Sequence, residues 1–187
     1  MAPRPHGGPE PRPALEGLRH AAALILLYPH LGQWYLPLTL RGSNLRQHTG
    51  QVSLPGGRLD TGESVEVAAL REAYEEVGVS PRDVDVLGRL TPLPIAVSGH
   101  LLHPVVGAVA RRPAFSIGAH EVEALIEVPL ARLRQPDVIR WEVRERSRPP
   151  SGLMDVPYFD LGEARVWGAT AMVLAEFVAV LDSLRVI

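Results

Sequence analysis

The stretch Gly57–Val79, GRLDTGESVEVAALREAYEEVGV, limits the possible folds of this chain more than any other. Read as a helix from about Ser64, it sets Glu72, Glu75 and Glu76 at i, i+3 and i+4, which is one helix face. Val67, Leu70, Ala73, Tyr74 and Val77 form an apolar stripe expected to lie roughly opposite and to bury. On that reading Glu76 is exposed. Like charges at this spacing cost helix stability, so a helix that keeps three of them is expected to hold a cation there. Ser64 suits the N-cap, Glu66 the first turn and Gly78 the C′ position, and Pro81 stops the helix from resuming. Gly56 and Gly57, just upstream, let the backbone approach a ligand or metal without a Cβ in the way.

Gly57, Glu63, Arg71, Glu72, Glu75, Glu76 and Gly78 stand at the spacing G-x5-E-x7-R-E-U-x-E-E-x-G-U, where U is a bulky aliphatic residue. This pattern resembles the Nudix box, with Ala73 smaller than the usual aliphatic at its U position. The resemblance implies an α/β (α+β) fold, the Nudix α/β/α sandwich with a mixed β-sheet between helices. It implies a hydrolase of phosphoanhydride bonds in which Glu72 and Glu76 are metal ligands. Glu75 is a further ligand or the base that activates water, and Glu63 adds a water-mediated ligand or steadies its loop. Arg71 orients a box carboxylate. Glu121, in His120-Glu121-Val122, is a candidate base outside the box, where related proteins carry a glutamate; an exposed first-turn glutamate is the other reading.

Composition narrows the chemistry. Clustered carboxylates are hard oxygen donors and suit Mg²⁺ or Mn²⁺. The chain has no cysteine, which excludes disulfides and thiolate zinc sites. All 19 basic residues are arginine, so there is no phosphate-loop lysine and no Schiff base. Positive charge for a phosphate substrate must come from arginine, a metal or helix termini. A net charge of −2 gives no reason to expect nucleic acid as a partner, and no apolar run has the length of a membrane span. A small-molecule substrate and a cytoplasmic location are the expectations.

Along the chain, residues 1–15 read as a disordered proline-rich tail and 16–187 as a single domain. The run 20–28 reads as a central strand and 33–41 as its hairpin partner, with Pro37 pointing to an edge or a bulge. Short strands are expected at 51–57, 84–90 and 100–110, with a proline-containing loop at 91–99. Residues 121–134 read as one or two short helices broken at Pro129. Residues 138–146 and 156–161 read as paired strands. A final helix runs from Val166 to about Leu184, with Val173, Leu174, Phe177, Val178 and Leu181 on its apolar face.

The substrate is to be sought upstream of the box, in LPLTLRGSNLRQHTGQVSLPGG (36–57). Leu38, Thr39, Arg41, Arg46, Gly50, Pro55, Gly56 and Gly57 match the motif L-L-T-x-R-[SA]-x3-R-x3-G-x3-F-P-G-G. The segment resembles that of the coenzyme A pyrophosphatase branch. Pro37, Gly42 and Leu54 depart from the motif. The resemblance implies that Arg41 and Arg46, with Gly56 and Gly57, bind substrate. Coenzyme A carries a diphosphate and a separate 3′-phosphate, groups that arginine forks grip bidentately. Pro94 lies 15 positions after Val79, a spacing that resembles that of ADP-ribose enzymes and implies the alternative, an ADP-ribose or dinucleotide pyrophosphatase. A non-catalytic nucleotide-binding module is a third reading, which the retention of all four box glutamates disfavours.

Overall fold

In the computed structural model, which describes residues 17–42, 51–118, 122–145 and 152–184, the apolar run 20–28 lies within β1 (Arg19–His30). The run does not alternate because both faces of the strand are covered. Ala22, Leu24, Leu26 and Tyr28 join one buried cluster; Ala23 and Ile25 join another. β1 turns through Leu31 and Gly32 into β2 (Gln33–Arg41), setting Tyr28 opposite Tyr35 and His30 opposite Gln33. Both turn residues have positive φ, 48° at Leu31 and 75° at Gly32, as a two-residue hairpin loop demands. Leucine is a costly occupant of that conformation, and its side chain is 78% exposed, so little packing offsets the cost. Leu31→Asn is expected to raise the unfolding free energy by about 1 kcal/mol, read as a higher denaturation midpoint.

The main sheet adds β3 (Val52–Ser53), β4 (Gly56–Arg58), β5 (Asp85–Arg89), β6 (Leu93–Ile95), β7 (His100–Ala108) and β8 (Val122–Pro129). Its order is β3-β2-β1-β7-β5, with β4 on β1, β6 on β7 and β8 on β2. Among the described residues only β1 and β7 run parallel, so the sheet is mixed. A second, antiparallel sheet comprises β9 (Ile139–Glu145), β10 (Leu153–Asp160) and β11 (Arg165–Trp167). Helix α1 (Val65–Val77) covers the face bearing Leu24 and Leu26. Helix α3 (Gly168–Ser183) lies on the face bearing Ala23 and Ile25, and α2 (Leu130–Leu133) is a single turn. This is the expected mixed sheet between helices. Val173, Leu174 and Phe177 of α3 are buried, and Val178 and Leu181 pack partly against the same cluster. Among the described residues no helix is long and apolar enough to cross a membrane.

Several elements differ from the sequence reading. Residues 122–129 form β8, where helix was expected. The segment carries helical spacing (Val122, Leu125, Ile126, Pro129) as well as alternation. The open edge of β2 decides between them, since β8 pairs with it from Tyr35↔Pro129 to Arg41↔Val122. Pro37 marks no bulge, and β2 is not an edge strand, but the proline sits at a local open edge of it. It faces Glu127 of β8, while the other edge of β2 is paired to β1 only as far as Tyr35 and to β3 only from Thr39. The proline therefore stands where neither β1 nor β3 pairs with the strand, and the register shift falls at Leu40/Arg41. The loop 91–99 contains β6, and α3 starts two residues later than expected because 165–167 pair with β10. The tail expected over 1–15 lies outside the described residues.

The largest correction concerns α1. Its caps are as read: Ser64 Oγ accepts from Val67 N at 3.3 Å, and Gly78 takes φ 74°. Its buried residues, however, are Ala68, Ala69, Ala73 and Val77, while Val67 and Tyr74 are 56% and 57% exposed. The helix is rotated about its axis so that the glutamate face turns toward β4. Three alanines are what permit so close an approach of helix to sheet.

Candidate active site

Strand β4 and helix α1 build the site together. β4 pairs with β1 through Ala22↔Gly57 and Ala23↔Gly56, which fixes the two glycines beneath the helix. A Cβ added at Gly57 would lie 2.4 Å from the carboxylate carbon of Glu72 and from both its oxygens. The Glu72 carboxylate thus occupies the space the glycine leaves. One position earlier, the Gly56 amide donates to Glu76 Oε2 at 3.1 Å. Glu76 is therefore half-buried rather than exposed, with its carboxylate held by the sheet backbone.

Arg71 ties the remaining carboxylates together. Its Nε and Nη2 donate to the two oxygens of Glu63 at 2.9 and 3.0 Å, a bidentate pair. Nη1 donates to Glu72 Oε1 at 2.9 Å and to Glu75 Oε2 at 3.3 Å, and Nη2 also reaches the Arg58 carbonyl at 2.9 Å. The Glu63 hydrogen bonds hold the Arg71 guanidinium firmly protonated. In return Arg71, followed by the Asp60 backbone N–H at 2.9 Å, holds the Glu63 carboxyl below the usual carboxylate range. Glu63 is thereby consumed by protein donors on both oxygens. Glu75, with its 3.3 Å contact and 56% exposure, is held least.

The structure thus gathers Gly56, Gly57, Glu63, Arg71, Glu72, Glu75 and Glu76 into one cluster. Arg41 stands at the end of β2, half-buried, with its amide donating to the Gln51 carbonyl at 3.0 Å. That bond closes the two ends of the segment between β2 and β3. Arg46 and Glu121 lie outside the described residues.

A clasp on the far end of α1 was not visible in the sequence. Ser116 N donates to Val77 O at 3.0 Å and Gly118 N to Glu76 O at 2.9 Å, and a Cβ at Gly118 would meet Glu75 O at 2.4 Å. The segment is anchored by Arg112, whose Nε and Nη2 grip Glu127 at 2.8 and 2.6 Å, and by Phe115, set edge-on to buried Tyr28. Tyr28 donates to Glu127 Oε2 at 2.7 Å, and burial, then Glu127, pushes its hydroxyl pKa well up. The only sequence signal is a lone glycine in an aperiodic loop.

Among the described residues no three His, Asp or Glu side chains enclose a cation by themselves. A closed protein cage is not what hard cations of the magnesium type require: they take few carboxylates and complete their shell with water and substrate oxygens. Glu72 and Glu76, adjacent on one helix face and pressed against a glycine backbone, fit such an open site.

Fold and site together define a hydrolase of pyrophosphate bonds. The family model of the NUDIX domain matches residues 18–145. The chain belongs to the Nudix hydrolase family, whose members use divalent cations and act on small nucleotide derivatives. It is 38% identical over 165 residues to an uncharacterized Nudix hydrolase NudL of Pectobacterium atrosepticum, covering 84% of this chain and 80% of that one. A NudL of Escherichia coli is 37% identical over 172 residues, covering 86% and 83%. Among solved structures, the Nudix hydrolase RenU of M. smegmatis superposes with a TM-score of 0.65 over 91% of this chain and 90% of its own. At 19% identity it speaks for the fold alone.

Proposed function

We propose that the chain hydrolyses the diphosphate of coenzyme A or its thioesters to 3′,5′-ADP and 4′-phosphopantetheine or its acyl form, with Mg²⁺ or Mn²⁺ bound at Glu72 and Glu76. The observation that carries the substrate is the register of Leu38, Thr39, Arg41, Arg46, Gly50, Pro55, Gly56 and Gly57, a series that runs into the carboxylate site. Arg41 closes β2, and the same series ends on the two glycines against which Glu72 and Glu76 rest. Arg41 and Arg46 are assigned to the anionic groups of the substrate.

A bound divalent cation would supply Lewis-acid polarisation of the phosphoryl oxygens and a more acidic bound water. The remaining work belongs to the chain's own groups. Water attacks one phosphorus, the bond from that phosphorus to the bridging oxygen breaks, and the proton leaves to a carboxylate. Glu75, the least restrained box glutamate, takes that proton or adds a further ligand; Glu121 is the candidate from outside the box. Arg71 sets the orientation of Glu72 and Glu75, and Glu63 acts through Arg71 by holding its guanidinium. A lysine at position 71 has one ammonium where five acceptor oxygens must be met. Arg71→Lys is therefore expected to raise the cation concentration for half-maximal activity about tenfold, as loss of an orienting partner does.

The substrate is tested by comparing coenzyme A, dephospho-coenzyme A, ADP-ribose and NADH, each with Mg²⁺ and with Mn²⁺. Coenzyme A is expected to give the highest kcat/KM, and Arg41→Gln to lower that value about tenfold. Preference for ADP-ribose would overturn the assignment in favour of a nucleotide-sugar pyrophosphatase.

A further inference from the structure

Arg19 opens β1, His100 opens β7 and Arg58 closes β4. Parallel register sets Arg19 opposite His100, and antiparallel register sets Arg58 opposite Ala21. With the two-residue period of strands, all three project from one face of the sheet, with Arg19 and Arg58 as diagonal neighbours. This is the face opposite the one that carries Glu72 against Gly57. Both arginines are exposed, and neither meets a carboxylate among the described residues. Arg19 Nη2 donates to the Ser98 carbonyl at 3.2 Å. His100 is half-buried, and its Nε2 is shielded from water with no hydrogen-bond partner among the described residues. Burial first, then the charges of Arg19 and of Arg58, pushes the His100 imidazole below its ordinary pKa of 6.5. The strand register thus sets both guanidinium groups on the sheet face that carries this ring.

We propose that Arg19, Arg58 and His100 form a phosphoryl-binding subsite, built to take a phosphate monoester dianion. Two guanidinium forks offer paired donors to the terminal oxygens of such a group, which they match in shape and charge. A single carboxylate carries one negative charge against two guanidinium charges, whereas a monoester dianion balances both. The subsite adjoins the carboxylate cluster through the backbone of Arg58, which follows Gly57 and whose carbonyl accepts from Arg71. The ligand is either a monoester carried by the substrate apart from its diphosphate or a free phosphorylated molecule. Binding there does not depend on which diphosphate is cleaved.

The test is a titration of the full chain with inorganic phosphate in the presence of a chelator, following the imidazole NMR signals. The His100 signal is identified by its disappearance in His100→Gln. Phosphate is expected to shift the His100 signal saturably, and Arg58→Gln and Arg19→Gln each to weaken the apparent affinity about tenfold. Arg58 is an exposed strand-end residue, so its variant keeps the test valid even if His100→Gln folds poorly, the signal then being followed as the one Arg58→Gln perturbs. A shift no larger than chloride gives at matched ionic strength overturns the proposal, as does unchanged affinity in both arginine variants. The source of the phosphate is read separately, from the KM ratio of dephospho-coenzyme A to coenzyme A. If Arg58→Gln collapses that ratio, the group is the substrate's own 3′-phosphate; if phosphate binding weakens and the ratio stands, the ligand is free. Failure to cleave coenzyme A at all would sink the substrate assignment and leave the phosphate titration decisive for the subsite.

Discussion

Glu76→Gln is expected to lower turnover by at least about 10²-fold, the scale on which a positioned charged group contributes to catalysis. The thermal midpoint should move by no more than a few degrees. The reason is geometric. Glu76 Oε2 accepts from the Gly56 amide at 3.1 Å, and a glutamine keeps an oxygen that can do the same. The helix therefore stays seated on β4 and only the negative charge is lost. Steady-state rates across a cation titration, with calorimetric unfolding of the same preparation, check both halves. Near-wild-type turnover would remove Glu76 from the metal set. A large fall in midpoint would mean that the charge, and not only the acceptor, holds the helix to the strand.

How much of this was legible in the sequence varied with the range of the interaction that decided it. The α1 boundaries were readable because Ser64 and Gly78 cap the helix through bonds spanning three or four residues. β1 was readable because a run covered on both faces is apolar throughout. The rotation of α1 was not, because it depends on what the helix meets. Val67 and Tyr74 complete a plausible apolar stripe, yet Ala68, Ala69 and Ala73 are buried, since only small side chains let the glutamates descend onto Gly56 and Gly57. β8 was misread for a similar reason: the edge of β2 that captures it lies some ninety residues away in sequence. In the site, the spacing of Glu72, Glu75 and Glu76 foretold a shared face. It did not foretell that Arg71 would bind Glu63, Glu72 and Glu75 at once, nor that Gly118 would clasp the last turn. Arg71 and Glu75 are an i,i+4 pair that the helical period allows, but the Glu63 and Gly118 contacts join residues whose spacing follows no period.

The two adjacent glycines of β4 should respond to alanine in opposite ways. At Gly57 the new methyl group would fall 2.4 Å from the carboxylate of Glu72, the far end of a flexible side chain that can swing aside. Folding should survive with little loss, but Glu72 would leave its place between the strand and Arg71 Nη1. Turnover is then expected to drop about 10²-fold, since small misplacements of a catalytic group have effects of that size. At Gly56 the new methyl would fall 2.3 Å from the Ala22 carbonyl oxygen and 2.6 Å from the Ala23 Cα, both backbone atoms of the central strand. Neither can move without disturbing the β1–β4 pairing at Ala22↔Gly57 and Ala23↔Gly56. Gly56→Ala is accordingly expected to destabilise the fold by about 1–3 kcal/mol, the range for overpacking a well-filled interior. Chemical denaturation and turnover measured on both variants separate the two effects. If Gly57→Ala proves inactive only because it unfolds, or if Gly56→Ala keeps full stability, the close seating of the carboxylates on this strand is not what confers activity.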